Sequence, residues 1–305
     1  MEQSFHYSLY RILVSHSLLA IGLKETTLNL GTTTIDVVSD GTFLMDGGCL
    51  FGQVPKTEWE LQIKPDRRNR IRLALNCLLI QTPELNVLVD TGVGSKRQDK
   101  MKETIRLNGN KLLKGLKAHG ITARDVDAVI LSNLHFDHSG GCTKLDRSGT
   151  PVPTFPKARY LVQRSSWNEA NSPNERYRDT FYDDDFLPLA EREMIDFVDD
   201  SYEVIPGLKL KVTNGPSEGH QIVLVERGSE KIAFVSDLIP TPHHLPLSYI
   251  PAMHEFPNTT LEQKRDFIEM AIEGGWLVVF GHGFEQNAGY IVQKNGATQF
   301  LPVEV

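Results

Sequence analysis

Residues 127–141 read Asp-Ala-Val-Ile-Leu-Ser-Asn-Leu-His-Phe-Asp-His-Ser-Gly-Gly, and they place His135, Asp137 and His138 within four positions. An apolar run at residues 128–131 precedes them and Gly140-Gly141 follows. A short apolar run bounded by turn residues is the pattern of a buried strand. Such a strand would deliver two imidazoles and a carboxylate onto a sharp bend, where a bent backbone can aim neighbouring side chains at one cation. Nitrogen and oxygen donors of this kind suit zinc, iron or manganese. Histidine and aspartate are also common in exposed turns, so distant partners decide the matter. Asp237 follows the apolar residues 232–235, and His282 follows the apolar residues 276–280. Three strand ends thus each offer ligand-type side chains.

These residues resemble the metallo-β-lactamase superfamily, whose central motif is His-x-His-x-Asp-His. The chain reads Asn133-Leu134-His135-Phe136-Asp137-His138, with Asn133 at the first histidine. Its Gly215-Pro216-Ser217-Glu218-Gly219 looks like the later metal-binding turn, with Pro216 where another histidine ligand is expected. Val89-Asp90-Thr91-Gly92, Ser236-Asp237-Leu238 and Phe280-Gly281-His282 extend the resemblance over most of the chain from about Ile35 onward. The resemblance implies an α/β (α+β) chain folded as an αββα sandwich. Residues 31–305 would form that domain, residues 1–30 an appended helix, and an insertion near 165–190 would cover the cleft, as in the lactonase-like branch.

Carried over position by position, the resemblance makes Asp137, His138, Asp237 and His282 the ligands of one metal, and His135 with Asp237 the remnant of a second site. One zinc ion is the expected cofactor, with iron or manganese as alternatives. The implied chemistry is a metal-activated water attacking an ester, lactone or similar small substrate, with Asp137, His135 and Asp237 as the catalytic residues and His135 or Asp237 handling the proton. Asp90 would orient a metal-bound imidazole, or else cap its own turn. Asn133 offers a weak amide ligand, and Glu218 and His220 lie close enough in sequence to compensate after a loop shift. His244 is the candidate pocket residue, because residues 240–246 look like a Pro-Thr-x-x-His-Leu-Pro stretch of lactonase-like relatives. The paired loss at Asn133 and Pro216 motivates a different expectation, a lapsed enzyme kept as a binding or scaffolding module.

The elements that must position these groups follow the same pattern. Alternating or apolar runs predict strands at residues 34–38, 41–45, 73–80 and 86–90, with a turn at 46–48 and a loop at 49–55. A helix is expected over 101–119 ending at Gly120, a strand over 158–163, and a helix capped by Ser165. Residues 171–188 have no clear period, and Asp183-Asp184-Asp185 read as solvated. Strands at 208–212, 221–225 and 231–235, a helix over 261–273 and a strand at Trp276 repeat the architecture.

Composition sets outer bounds. The 305 residues are 40% hydrophobic and 23% charged, an ordinary globular balance. A formal charge of −7 argues against nucleic acid as a partner, and a small-molecule substrate fits better. Arg67-Arg68 with Arg70 and Arg72 reads as a solvated strand edge. Residues 9–23 are apolar but broken by Arg11, Ser15, His16 and Ser17, too interrupted to span a membrane. Three cysteines, Cys49, Cys77 and Cys142, fit a reducing compartment, so a cytoplasmic location is expected. Cys142 is expected to be a small buried apolar residue. Oligomeric state is left open.

Overall fold

The computed structural model describes residues 27–305. The helix expected over residues 1–30 lies outside them, except that Leu28–Leu30 is a strand at the edge of a sheet. Each half of the chain builds one seven-stranded sheet. The first runs Leu28–Leu30, Thr33–Asp46, Arg70–Gln81, Asn86–Val89, Ala128–Ile130, Arg159–Gln163 and Ile195–Val198 in spatial order. The second runs Tyr202–Ile205, Leu208–Val212, Gln221–Arg227, Glu230–Phe234, Leu277–Val279, Ala288–Lys294 and Ala297–Val303.

Between the sheets lies a core in which Ile35, Leu78, Ile80 and Val89 of the first meet Leu208, Val223, Ile232 and Val279 of the second. Helices cover both outer faces. Phe267, Ile268 and Ala271 of the helix Pro257–Gly274 pack on Ile222, Ala233 and Val278, and a second outer core joins Leu116 and Phe186 to Val129 and Tyr160. The central strands are therefore apolar on both faces, which is why Ala128–Ile130 and Leu277–Val279 are uninterrupted hydrophobic runs. This is the expected αββα sandwich. The helix Pro257–Gly274 begins on a proline and ends at Gly275, whose φ of 64° closes the last turn.

Four local expectations are corrected. The two strands at 34–38 and 41–45 are one strand, Thr33–Asp46, irregular between Ser39 and Thr42, where a Cβ on Gly41 would fall 1.9 Å from the Asn108 carbonyl oxygen. The turn and loop at 46–55 contain a helix, Gly47–Phe51, capped by the Asp46 carboxylate accepting from the Cys49 N–H. The helix expected over 101–119 is two, Gln98–Thr104 and Leu112–Ala118. Asn108 breaks it by exchanging both backbone hydrogen bonds with Thr42 at 3.1 and 2.8 Å, with Arg106 and Asn110 at positive φ on either side. Residues 164–190 hold two helices, Arg164–Asn171 without a serine cap and Asp183–Ala190. Asp185 on the second is fully buried between Lys96 and Arg97, both at 2.8 Å, and Asp184 pairs with Arg97, so the aspartate run is not a solvated loop.

Candidate metal centre

Strand direction brings the polar ends together. Ala128–Ile130 runs parallel to Asn86–Val89, so Asp90 emerges beside residues 131–138, and its N–H donates to Ile130 O at 2.9 Å. In the second sheet Glu230–Phe234 runs parallel to Leu277–Val279, which sets Asp237 beside His282. The Asn76 amide then clips the sheets together, donating to Phe280 O at 3.0 Å and Gly283 O at 2.9 Å.

At this junction Asp137, His138 and His282 each place a ligand atom within 4.8 Å of the others. Asp237 sits against both imidazoles, with Oδ2 3.1 Å from His138 Nε2 and Oδ1 3.1 Å from His282 Nε2. The Asp137 carboxylate is 3.8 Å from His138 Nε2 and 3.7 Å from His282 Nε2.

Both rings are oriented from behind. His138 Nδ1 lies 2.8 Å from Asp90 Oδ2, and Asp90 also accepts from Ser132 N and Oγ, each at 2.8 Å. Ser236 Oγ donates to Ser132 Oγ at 2.8 Å and completes that buried network. His282 Nδ1 lies 2.8 Å from Ala74 O. With each Nδ1–H so engaged, each Nε2 is turned toward the two carboxylates. His138 Nε2 is buried and finds no hydrogen bond, although Asp237 is near. A buried donor atom left over among two carboxylates and a second imidazole is what a zinc-type cation would satisfy, so the residues present fit a metal.

The charges agree with that geometry. Burial opposes a charged His138, but Asp237, Asp137 and Asp90 outweigh it and hold its pKa well above the ordinary range. Burial also disfavours ionised Asp237, yet His138 and His282 pull its pKa well below that of an ordinary carboxylate. Burial works against a charged His282 as well, and again Asp237 prevails and raises its pKa.

The remaining expected residues fall into other roles. His135 is buried at Nε2 without a partner, its ring centroid 4.9 Å from that of Phe181, and burial lowers its pKa. It stands outside the three groups that lie within 4.8 Å. The Asn133 amide donates to Asp237 Oδ2 at 2.9 Å while its oxygen accepts the His135 N–H at 2.8 Å, so the oxygen is turned away from the carboxylates. His220 is no replacement ligand: Nδ1 lies 2.6 Å from Thr213 Oγ1, and Nε2 accepts the Asp237 N–H at 3.2 Å. Burial drives its pKa down to about 3.

His244 is not a pocket residue. It is fully buried, stacked on Phe51 at 4.9 Å and bonded to Thr241 Oγ1 and Leu50 O at 2.8 and 3.0 Å; His243 lines the cavity instead. Cys142 Sγ packs 3.4 Å from Thr91 Oγ1, with burial pushing its pKa up to about 12. Sequence reasoning missed Ser132, Ser236 and Ala74 O. The serines sit beside Asn133 and Asp237 in the motifs, but a carbonyl from a remote strand leaves no signal.

The metallo-β-lactamase superfamily model matches residues 71–282. An N-acyl homoserine lactonase of Bacillus cereus is 27% identical over 233 residues, 72% of this chain and 86% of that protein. A probable metal-dependent hydrolase from Staphylococcus aureus superposes with a TM-score of 0.83 at 27% identity, covering 91% of this chain and 99% of that one. AidC, a dizinc quorum-quenching lactonase, shares the fold with a TM-score of 0.77 at 19% identity, over 92% and 98% of the two chains. The chain therefore belongs to the metallo-β-lactamase superfamily. Its relatives are hydrolases, and it is an enzyme of that class. No helix among the described residues is long and apolar enough to cross a membrane.

Proposed function

We propose that the chain is a zinc-dependent hydrolase of esters or lactones that works with one ion. The observation that carries this reading is the meeting of Asp137, His138 and His282 within 4.8 Å, with Asp237 at 3.1 Å from both imidazoles. The lactonase relatives support the substrate class. One ion is favoured because Asn133 and Pro216 replace two ligands of the second site, and the Asn133 oxygen is already engaged.

Zinc bound there would supply Lewis acidity toward a carbonyl and lower the pKa of a water. The protein's own part is orientation and proton handling. Asp90 and Ala74 O fix the two imidazoles, and His220 and Asn133 fix Asp237. Asp237 stays ionised and can orient the attacking water by accepting a hydrogen bond from it. His135, kept neutral by burial, is placed to hold or return a proton through its unpartnered Nε2.

The test pairs metal content with activity. Purified protein should hold about one zinc per chain, hydrolyse members of a lactone and ester panel, and lose both properties in His138→Ala. A zinc-loaded protein inert toward the whole panel would count against the reading and favour a fold retained for binding. Asn133→His with Pro216→His should raise the occupancy from about one toward two ions per chain; an unchanged occupancy would show that the second site is lost for other reasons.

A further inference from the structure

A cavity of about 820 Å³ opens beside the candidate metal centre, with His282 in its wall. That volume is in the range of small-molecule sites. The segments that follow Asp237 and His282 form one side through residues 241–243 and 283–286, and residues 62–72 with Arg106 form the other. The lining carries six cations, Lys64, Arg67, Arg68, Arg70, Arg72 and Arg106, against two carboxylates, Asp66 and Glu285. This concentration occurs in a chain with a formal charge of −7.

The cations are not balanced by the protein. Arg70 alone has a carboxylate, Asp66 at 2.7 Å, and Arg72 lies over the Phe284 ring at 5.2 Å. Lys64, Arg67, Arg68 and Arg106 have no acceptor among the described residues. Elsewhere Arg97, Arg159, Arg164, Arg178 and Arg192 each face a carboxylate within 4 Å, and Arg176 and Arg227 donate to backbone carbonyls, while Arg124, Arg147 and Arg265 stand apart from one another in the sequence rather than in a cluster. Arg106 is in addition held at a φ of 50°, a left-handed backbone that a branched or bulky residue rarely adopts. Like charges gathered on one wall repel, and they attract anions into a cleft whose walls focus the field. Guanidinium forks match carboxylate and phosphate oxygens in pairs. The cluster read from the sequence as a solvated strand edge is thus one wall of the cavity that reaches His282.

We infer that this wall receives an anionic group, carboxylate or phosphate, carried by the substrate away from the bond that is cleaved. The inference rests on the hydrolase reading above for the location of that bond. It narrows the substrate from esters and lactones in general to those bearing a negative charge; the same cavity also has the apolar Ile63 and Phe284 in its lining.

The test uses the full-length, zinc-loaded protein and the double variant Arg67→Gln/Arg106→Gln, which alters two exposed side chains without partners. Calorimetry with glutarate and with inorganic phosphate should show binding of one or both to the wild type at low salt, weakened about tenfold or more in the variant and by added salt. Tighter glutarate assigns a carboxylate, tighter phosphate a phosphate. Equal affinity in both proteins, as an anion held by the metal alone would give, overturns the inference, as does no binding of either probe.

A kinetic arm compares an aryl butyrate with the aryl monoester of glutarate. The ratio of kcat/KM for the charged ester to that for the neutral one should be about ten or more in the wild type and should fall in the variant. Equal rates in the wild type overturn the inference while leaving the hydrolase intact. Hydrolysis of neither ester, with arginine-dependent binding retained, fails the hydrolase reading and leaves the anion subsite standing.

Discussion

Asp90 shows how much one residue settles behind the candidate metal centre. It sits at a φ of 59° and gathers His138 Nδ1, Ser132 N and Ser132 Oγ on one carboxylate. Asparagine tolerates that left-handed backbone, so Asp90→Asn should fold while removing the charge that orients His138. Zinc affinity, measured by competition with a chelator, is expected to fall about 10- to 100-fold; an unchanged affinity would mean that His138 needs no such support. The same scale explains why His243, rather than the expected His244, lines the cavity. Stacking on Phe51 and hydrogen bonds to Thr241 Oγ1 and Leu50 O bury His244, while its neighbour His243 lines the cavity.

Two short elements hold the turn that carries Asp137 and His138 in place. Gly140 and Gly141 let that turn press on residues 91–93: a Cβ on Gly141 would stand 2.2 Å from Thr91 O, and one on Gly140 2.4 Å from Val93 O. Gly141→Ala must push these backbones apart, and a loss of about 1–3 kcal/mol is expected in urea unfolding. An unaltered midpoint would show that the contact yields freely. The helix Asp183–Ala190 braces the turn from the other side through Asp185, buried between Lys96 and Arg97. Burial lowers the Lys96 pKa, and the Asp185 charge opposes that effect. Asp185→Asn strips the shared carboxylate from a buried ammonium and a guanidinium. It should cost about 3–5 kcal/mol, readable as a lower denaturant midpoint; a neutral substitution would mean that water reaches the cluster.

At the scale of the molecule, one acidic contact links the helix Arg164–Asn171 to the segment before Pro257–Gly274. Both Glu169 carboxyl oxygens are buried, and burial, then the neighbouring Glu255, push its pKa up to about 9 from an ordinary 4.5. Between those two values the folded chain holds a proton that the unfolded chain has released. Stability contributed at this site therefore falls as pH rises through that window. The urea midpoint of the wild type should decline between about pH 5 and pH 9, and Glu169→Gln should flatten the decline; an identical slope in the variant would remove Glu169 as its cause.

The sequence, through motifs that resemble a known family, pointed to the sandwich and brought forward Asp137, His138, Asp237 and His282 as candidate ligands, because buried strands are written as apolar runs and ligand-type residues stand at their ends. Such signals are local, and each motif carries its own. Tertiary structure decided what depends on partners remote in the chain: the split of the helix expected over 101–119 by Thr42, the burial of Asp185, the employment of Asn133 and His220 around Asp237, and the lining of one cavity by the arginines together with His282. An arginine beside a strand reads the same whether it meets water or a cavity, since the difference lies in what another segment places opposite it.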